Sequence, residues 1–485
     1  MRRSVVSRPD GPRVALIVDH PQRDLAGLTL TAVELCQHGF TCHFVPLNLQ
    51  DRELFALAPD FVVLNFLRRG TEPLAHGLVE AGIGLGLLDT EGIVWAEYKD
   101  YTDLLWEEAG LRGAVECLCL WGEKLGQHLA QQGLFAADRM RVTGCPRFDF
   151  YAPQWRAVLA QPVDRGDRCI LLNTQYSMTN PRFTTVERHI QDFRSHFGWS
   201  EESIRTKMEI ERAAVGATIA LAEDLARDFP AVPLVIRPHP HESPEPYRRA
   251  LADRPNVSFS LGGPVQPDIF RAAVVIQRNC TTSVEAGLAG VPTLSPDWIP
   301  SWFRMELAER VSLPTQTYPE LRSVVADIFD GGAPAQVPVR RELDQVIRDW
   351  FCANDGCSHR RVTQALLPVL RGRPGPQLDR CYRGLHGLLG PTAWDRVTLA
   401  RRLRHVLGLP VEFSFGRLRT VAPSYWSTTD KRFDATAVTA LATRIQQARL
   451  AQGHSTLPVS VDQARDRGAY HFGYCGHAVT MSPAS

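Results

Sequence analysis

The chain has 485 residues, 44% of them hydrophobic and 22% charged, which is the composition of a folded globular protein too long for one ordinary core. Its 54 Lys and Arg against 53 Asp and Glu leave a net charge of +1, which excludes a global field for nucleic acid. No run of about 18 apolar residues occurs, and "MRRSVVSRPDGPR" has no apolar core, so neither a transmembrane helix nor a signal peptide is expected.

The first elements read as strand, loop, helix and strand: "RVALIV" (13–18), "DHPQRDLAG", "LTLTAVELCQHG" and "FTCHFVPL". Further buried strands follow in "PDFVVLNFL" (59–67), "GIGLGLLDTEG" (82–92), "AVECLCLWG" (114–122) and "RMRVTGCPRFD" (139–149), with a helical "EKLGQHLAQQG" before the last. Strands alternating with helices imply a mostly parallel sheet covered on both faces. A polar linker near 150–168 precedes a second alternation: "CILLNTQYS" (169–177), a long helix near 200–228, "VPLVIRPHP" (232–240), "NVSFSL" (256–261), "AAVVIQRNC" (272–280) and "VPTLSP" (291–296). Residues 340–370 read as closing helices. From Pro374 onward there are 14 Lys and Arg against 7 Asp and Glu, with helical patterns at 394–408 and 434–453. The predicted domains are therefore 13–150, 168–370 and an Arg-rich extension at 374–485. The two α/β lobes are expected to face a cleft.

Eleven scattered cysteines, several in apolar runs, fit buried thiols in a reducing cytosol. "CLC" (117–119) and "CANDGC" (352–357) lack a second pair at zinc spacing, and no Asp-x-Asp ends a strand, so no metal is expected. Gly-x-Gly-x-x-Gly, Walker A, His-Glu-x-x-His and Gly-x-Ser-x-Gly patterns are also missing, so no bound cofactor is expected.

In doubly wound sheets, ligands sit outside the carboxyl ends of the strands. In the second lobe that rule selects Asn173 and Thr174, then Arg237, His239 and His241 in "VIRPHPHES", then Thr281, Thr282, Ser283 and Glu285 in "NCTTSVEAGLAG". A guanidinium, imidazoles, and hydroxyls at a helix start are phosphate-binding chemistry, and a carboxylate can take ribose hydroxyls. Each group also has a purely structural reading, as a helix cap or a polar strand end. In the first lobe, Asp89 and Glu91 end a strand two residues apart. They suit a general base, a nucleophile or an orienting carboxylate, or else an ordinary acidic turn. Asp19 and Arg23 lie on the first strand-to-helix loop, on the acceptor side of this reading, and "TGCPRFDF" reads as a structural turn.

The ordered set "HPQRDLAGL", "PDFVVLNFLR", "LLDTEG", "WGEKLGQHL", "VTGCPRFD", "ILLNTQYS", "IRPHPHE", "CTTSVEAGLAGVPTL" and "DWFCANDGCSHRRV" resembles the bacterial surface carbohydrate biosynthesis protein family. It is more distantly similar to GT-B glycosyltransferases that use CMP-activated sugars, the Kdo and sialyl transferases. The resemblance covers about residues 13–367. It departs from the pattern at Cys145, where Asn is expected, and at Thr90, where a second acid is common.

The resemblance implies a GT-B-like α/β fold of two Rossmann-like domains, with Arg237, His239 and Thr281 to Ser283 on donor phosphate. It places Glu285 on ribose or sugar and the catalytic carboxylate at Asp89 or Glu91. The expected activity is metal-independent glycosyl transfer from a nucleotide sugar, CMP-linked before UDP-linked, to a glycan or lipid-linked acceptor. The alternatives are a sugar-nucleotide 2-epimerase, a polyol-phosphate transferase, or a non-catalytic assembly protein. A basic tail also suits peripheral contact with the cytoplasmic face of an anionic inner membrane.

Overall fold

The structure is a computed structural model that describes residues 12–92, 98–160, 168–331, 337–381, 383, 431, 433–464 and 477–484. The chain divides into two compact units. The first comprises the described residues up to 158, those from 349 to 383 and those from 431 onward, and the second those of 159–348.

The first unit is built on an eight-stranded sheet. Its six N-terminal strands are β1 (Arg13–Val18), β2 (Thr41–Pro46), β3 (Phe61–Leu64), β4 (Gly84–Leu88), β5 (Val115–Leu120) and β6 (Met140–Val142). They lie parallel in the order β2-β1-β3-β4-β5-β6. β2, β3 and β4 are buried at every position because helices cover both faces, which is why these segments read as unbroken apolar runs rather than alternating ones. The order reverses at β1, which pairs with β2 on one side and β3 on the other.

The second unit is an all-parallel six-stranded sheet. Its strands are β7 (Cys169–Asn173), β8 (Leu234–Arg237), β9 (Val257–Phe259), β10 (Ala272–Ile276), β11 (Thr293–Pro296) and β12 (Leu313–Thr315). The order β12-β11-β10-β7-β8-β9 reverses at β7. The long helix Glu201–Asp228 starts at Ser200, whose hydroxyl accepts the Ser203 amide, and its buried stripe of Ala214, Leu221 and Leu225 covers the sheet. The doubly wound sheets expected of a GT-B-like chain are therefore present in both units.

Two predicted boundaries differ. The helix Ser358–Leu370, assigned from sequence to the second domain, belongs to the first unit. Its start is capped by a residue 209 positions away: the Asp149 carboxylate accepts the Ser358 and His359 amides, both at 2.9 Å, and the His359 Nδ1 at 2.8 Å. Arg373 then holds Glu116 with two bonds of 2.7 and 2.6 Å.

The extension is not only helical either. The helix Ala435–Ala451 is followed by β13 (Val459–Gln463) and β14 (Val479–Pro483), which add antiparallel strands to the β2 edge. Arg449 of that helix pairs with Glu34, and Met481 of β14 is fully buried. The end of the chain thus covers a sheet edge that would otherwise offer unpaired backbone groups. The basic helical pattern at 394–408 lies outside the described residues. Among those residues no helix is long and apolar enough to cross a membrane.

Candidate active site

In the second unit the sheet reverses at β7, so the carboxyl ends of β10, β7 and β8 are neighbours and form the crevice where ligands of such sheets bind. The sequence-predicted residues of this unit fall on those ends. Asn173 closes β7 directly opposite Arg237, the last residue of β8. Its side-chain amide donates to the Thr282 hydroxyl at 2.8 Å, tying β7 to the loop after β10. The Asn173 Oδ1 is buried and has no partner among the described residues.

The loop after β10 is rigid by construction. Asn279 adopts the left-handed region at φ 56°, a conformation that costs free energy unless its surroundings hold it. They do so on three sides. The Asn279 amide donates to Glu309 at 2.9 Å, its side chain donates to the Phe303 carbonyl at 2.9 Å, and its Oδ1 accepts the Met305 amide at 2.8 Å. Thr281 and Thr282 emerge half-buried from this frame, followed by the short helix Thr282–Leu288. Ser283 is used internally, donating to the Cys280 and Ala308 carbonyls at 3.0 and 3.2 Å. Glu285 is buried in that helix.

Beyond β8, the loop carrying the histidines is fixed by Glu242, which sequence reasoning missed. Its buried carboxylate accepts the Thr174 hydroxyl at 2.6 Å, the Tyr176 amide at 3.0 Å and the Tyr247 hydroxyl at 2.6 Å. Burial raises its pKa, while those three donors pull the other way. Thr174 is thereby committed to holding the loop. His239 is exposed and stacks on half-buried His241, with ring centroids 5.6 Å apart.

Arg237 is engaged within the second unit. Its NH1 donates to Asp268 and to Ser260 at 2.6 and 2.7 Å, and its NH2 donates to the Gly263 carbonyl at 2.6 Å. The guanidinium is spent on bracing the loop after β9, because an unpaired acid at Asp268 would be costly there. Asn173, His239, His241, Thr281, Thr282 and Glu285 remain as candidates around this crevice.

In the first unit the order reverses between β1 and β3, and a small pocket opens at their carboxyl ends. Asp24, Gly27, Asp89, Thr90 and Arg147 line it. Asp89 is 4% exposed; its Oδ1 accepts the Glu91 amide at 2.7 Å and its Oδ2 accepts the Tyr101 hydroxyl at 2.9 Å. Burial pushes its pKa up to about 6, against those two hydrogen bonds, which favour the ionised form. A carboxyl that titrates near neutrality in a pocket has the properties of an acid–base catalyst.

Glu91 differs. It pairs with Arg68 and lies 3.5 Å from Arg23, which ties it into the loop. Asp19 holds Arg23 at 2.6 Å and Lys431 at 2.9 Å. Burial works to raise the Asp19 pKa, yet the two cations bring it below the ordinary carboxylate value. Asp19 and Arg23 are therefore engaged with each other and with their neighbours.

Gly27 is required where it stands, since a Cβ there would lie 2.6 Å from the Arg147 backbone nitrogen. Among the described residues no group of three or more His, Cys, Asp or Glu is placed to hold a metal ion.

No protein-family model and no curated protein matches the chain. Among solved structures, it is similar to a UDP-GlcNAc 2-epimerase from Neisseria meningitidis bound to UDP-GlcNAc, at 13% identity and a TM-score of 0.46, over 73% of this chain and 100% of that one. A UDP-GlcNAc 2-epimerase from Methanocaldococcus jannaschii gives 11% and 0.44 over 73% and 99%. A glycosyltransferase from Rickettsia africae gives 11% and 0.40 over 75% and 100%. The fold assignment rests on the strand orders and registers of this chain itself.

Proposed function

We propose that the chain is a nucleotide-sugar enzyme. The second unit takes the nucleotide at the ends of β7, β8 and β10, and Asp89 of the first unit is the acid–base group. The observation that carries this reading is the Asn173–Thr282 bond at the reversal of an all-parallel sheet, which sets polar groups from two strands into one crevice. His239 and Thr281 supply donors for phosphate, while Glu285 and the open Asn173 Oδ1 supply acceptors for ribose or base. The nucleotide is UDP or CMP, and a direct comparison of the two decides.

Two reactions suit this equipment. Transfer to an acceptor hydroxyl on a glycan or lipid needs a base that takes one proton. Inversion at the sugar carbon beside the anomeric centre needs a base that takes the proton on one face as the nucleotide leaves, and an acid that returns one on the other face as the nucleotide adds back. A pKa of about 6 leaves Asp89 able to serve as one of those two groups near neutral pH, which suits 2-epimerisation as the reaction. Glycosyl transfer, with Asp89 as base, is the second reading.

The test is to incubate UDP- and CMP-sugars with the protein in deuterated water and no acceptor, following the sugar by NMR. An epimerised product labelled at the inverted carbon supports epimerisation. A product that forms only when an acceptor is added supports transfer. If neither nucleotide sugar changes under either condition, the proposal fails.

A further inference from the structure

Arg147, read from sequence as part of a structural turn, lines the first unit's pocket together with Asp89 and is only 7% exposed. Its guanidinium carbon lies 5.0 Å from the Trp121 ring centre and 4.5 Å from that of Phe148. Its polar contacts are poor. NH1 reaches the Thr90 carbonyl oxygen only at 3.4 Å, Asp24 stands 4.0 Å away, and Nε is buried without a partner among the described residues. Asp24 is already occupied, because its oxygens accept the Arg23 Nε at 2.9 Å and the His20 amide at 3.0 Å.

Three other sheltered guanidiniums of this chain each hold a carboxylate at close range, although the Arg373 Nε is likewise buried without a partner among the described residues. Arg237 holds Asp268 at 2.6 Å, Arg278 holds Glu309 at 2.8 Å, and Arg373 holds Glu116 at 2.6 Å. A buried guanidinium left without a close carboxylate carries an uncompensated desolvation cost, which a ligand anion can relieve. Its planar fork matches two oxygens of one group.

We propose that Arg147 is the receptor for an anionic oxygen group, carboxylate or phosphate, on the sugar that enters this pocket. This rests on the reading of the chain as a sugar-processing enzyme and adds that its sugar is acidic. Asp24 and Asp89 would face the hydroxyl side of such a ligand, while the aromatic rings of Trp121 and Phe148 hold the guanidinium in place. Arg147 then sets specificity, in that a neutral sugar leaves the guanidinium as poorly paired as it is in the empty pocket.

Calorimetric titration of the full chain with glucuronate, glucose 6-phosphate and glucose tests this, using wild type, Arg147→Met and Asp24→Asn. At least one charged sugar should bind tenfold or more tighter than glucose, and Arg147→Met should erase that preference. Asp24→Asn removes the acid nearest the guanidinium and should tighten the charged sugar several-fold, which gives a reading even if Arg147→Met does not fold. Preference for glucuronate assigns the group as carboxylate; preference for glucose 6-phosphate assigns it as phosphate. Equal binding of charged and neutral sugars, no binding of either charged sugar, or an unchanged preference in Arg147→Met overturns the proposal. Titration with UDP and CMP separates the two claims. Arg147→Met should leave nucleotide binding intact, and a wild type that binds acidic sugars but no nucleotide would remove the nucleotide-sugar reading while leaving the role of Arg147 standing.

Discussion

The side-chain amide of Asn173, at the end of β7, donates to the Thr282 hydroxyl after β10 across 2.8 Å. The two residues are 109 positions apart, and the bond forms where the strand order of the second sheet reverses. One strand carries the chain to the left of that point and the other to the right, so their following loops diverge and leave a crevice between them. Polar groups held at that crevice are positioned by strands, which fixes them better than loops alone would.

Asp89→Asn separates catalysis from stability. Turnover should fall about 10²- to 10⁴-fold if Asp89 moves protons. Because its folded-state pKa of about 6 lies above the ordinary 3.8, folding favours the protonated form. That contribution is present in full below the ordinary value and is lost as pH rises through 6. Urea unfolding of wild type relative to the variant should therefore show a loss of up to about 3 kcal/mol between pH 4 and pH 7. A pH-independent difference would contradict the assignment.

Arg237→Ala should cost about 3 kcal/mol by leaving Asp268 unpaired in a sheltered site. Removing both partners in Arg237→Ala/Asp268→Ala should recover much of that loss, and nucleotide affinity should stay within a few-fold of wild type. A double variant that is stable yet binds no nucleotide would return Arg237 to the phosphate.

His239 is exposed, so replacing it with Ala should leave the melting temperature unchanged. If it stabilises charge on the departing phosphate, turnover should fall about a hundredfold. Near wild-type turnover in His239→Ala would remove it from the site.

Met481 is fully buried in β14, one strand inside the sheet edge that β13 forms. Met481→Asp should destabilise the protein by about 3 kcal/mol or more, read as a lower urea midpoint. A change of under about 0.5 kcal/mol would mean the extension is not part of the folded first unit.

Much of this architecture is legible in the sequence for a physical reason. Parallel strands covered on both faces are unbroken apolar runs, so "CILLN" and "AAVVI" announce themselves, and the candidate residues Asn173 and Thr282 stand at or just after their ends. What stays hidden depends on distant partners. "VSVDQ" is a half-exposed edge strand with no pattern of its own, and its companion "VTMSP" is defined by pairing with β2. Nothing near Ser358 signals that Asp149 caps its helix. Arg237 looks like a phosphate ligand until Asp268, 31 residues later, takes its guanidinium. Glu242 was visible as the residue after His241, yet its role as the anchor of that loop depends on Thr174 and Tyr247. Arg147 lay in a motif whose turn character masked a side chain reaching the pocket.

The central claim is that the second unit grips a nucleotide at the joined ends of β7 and β10. Thermal shift with UDP, CMP, GDP and ADP, on wild type and on Asn173→Ala/Thr282→Val, tests it most directly, since a ligand that binds only the folded state raises its melting point. The account predicts that UDP or CMP raises the wild-type melting temperature by several degrees and that the double variant, still folded, loses that response. A wild type indifferent to all four nucleotides, or a variant that responds as wild type does, would contradict it.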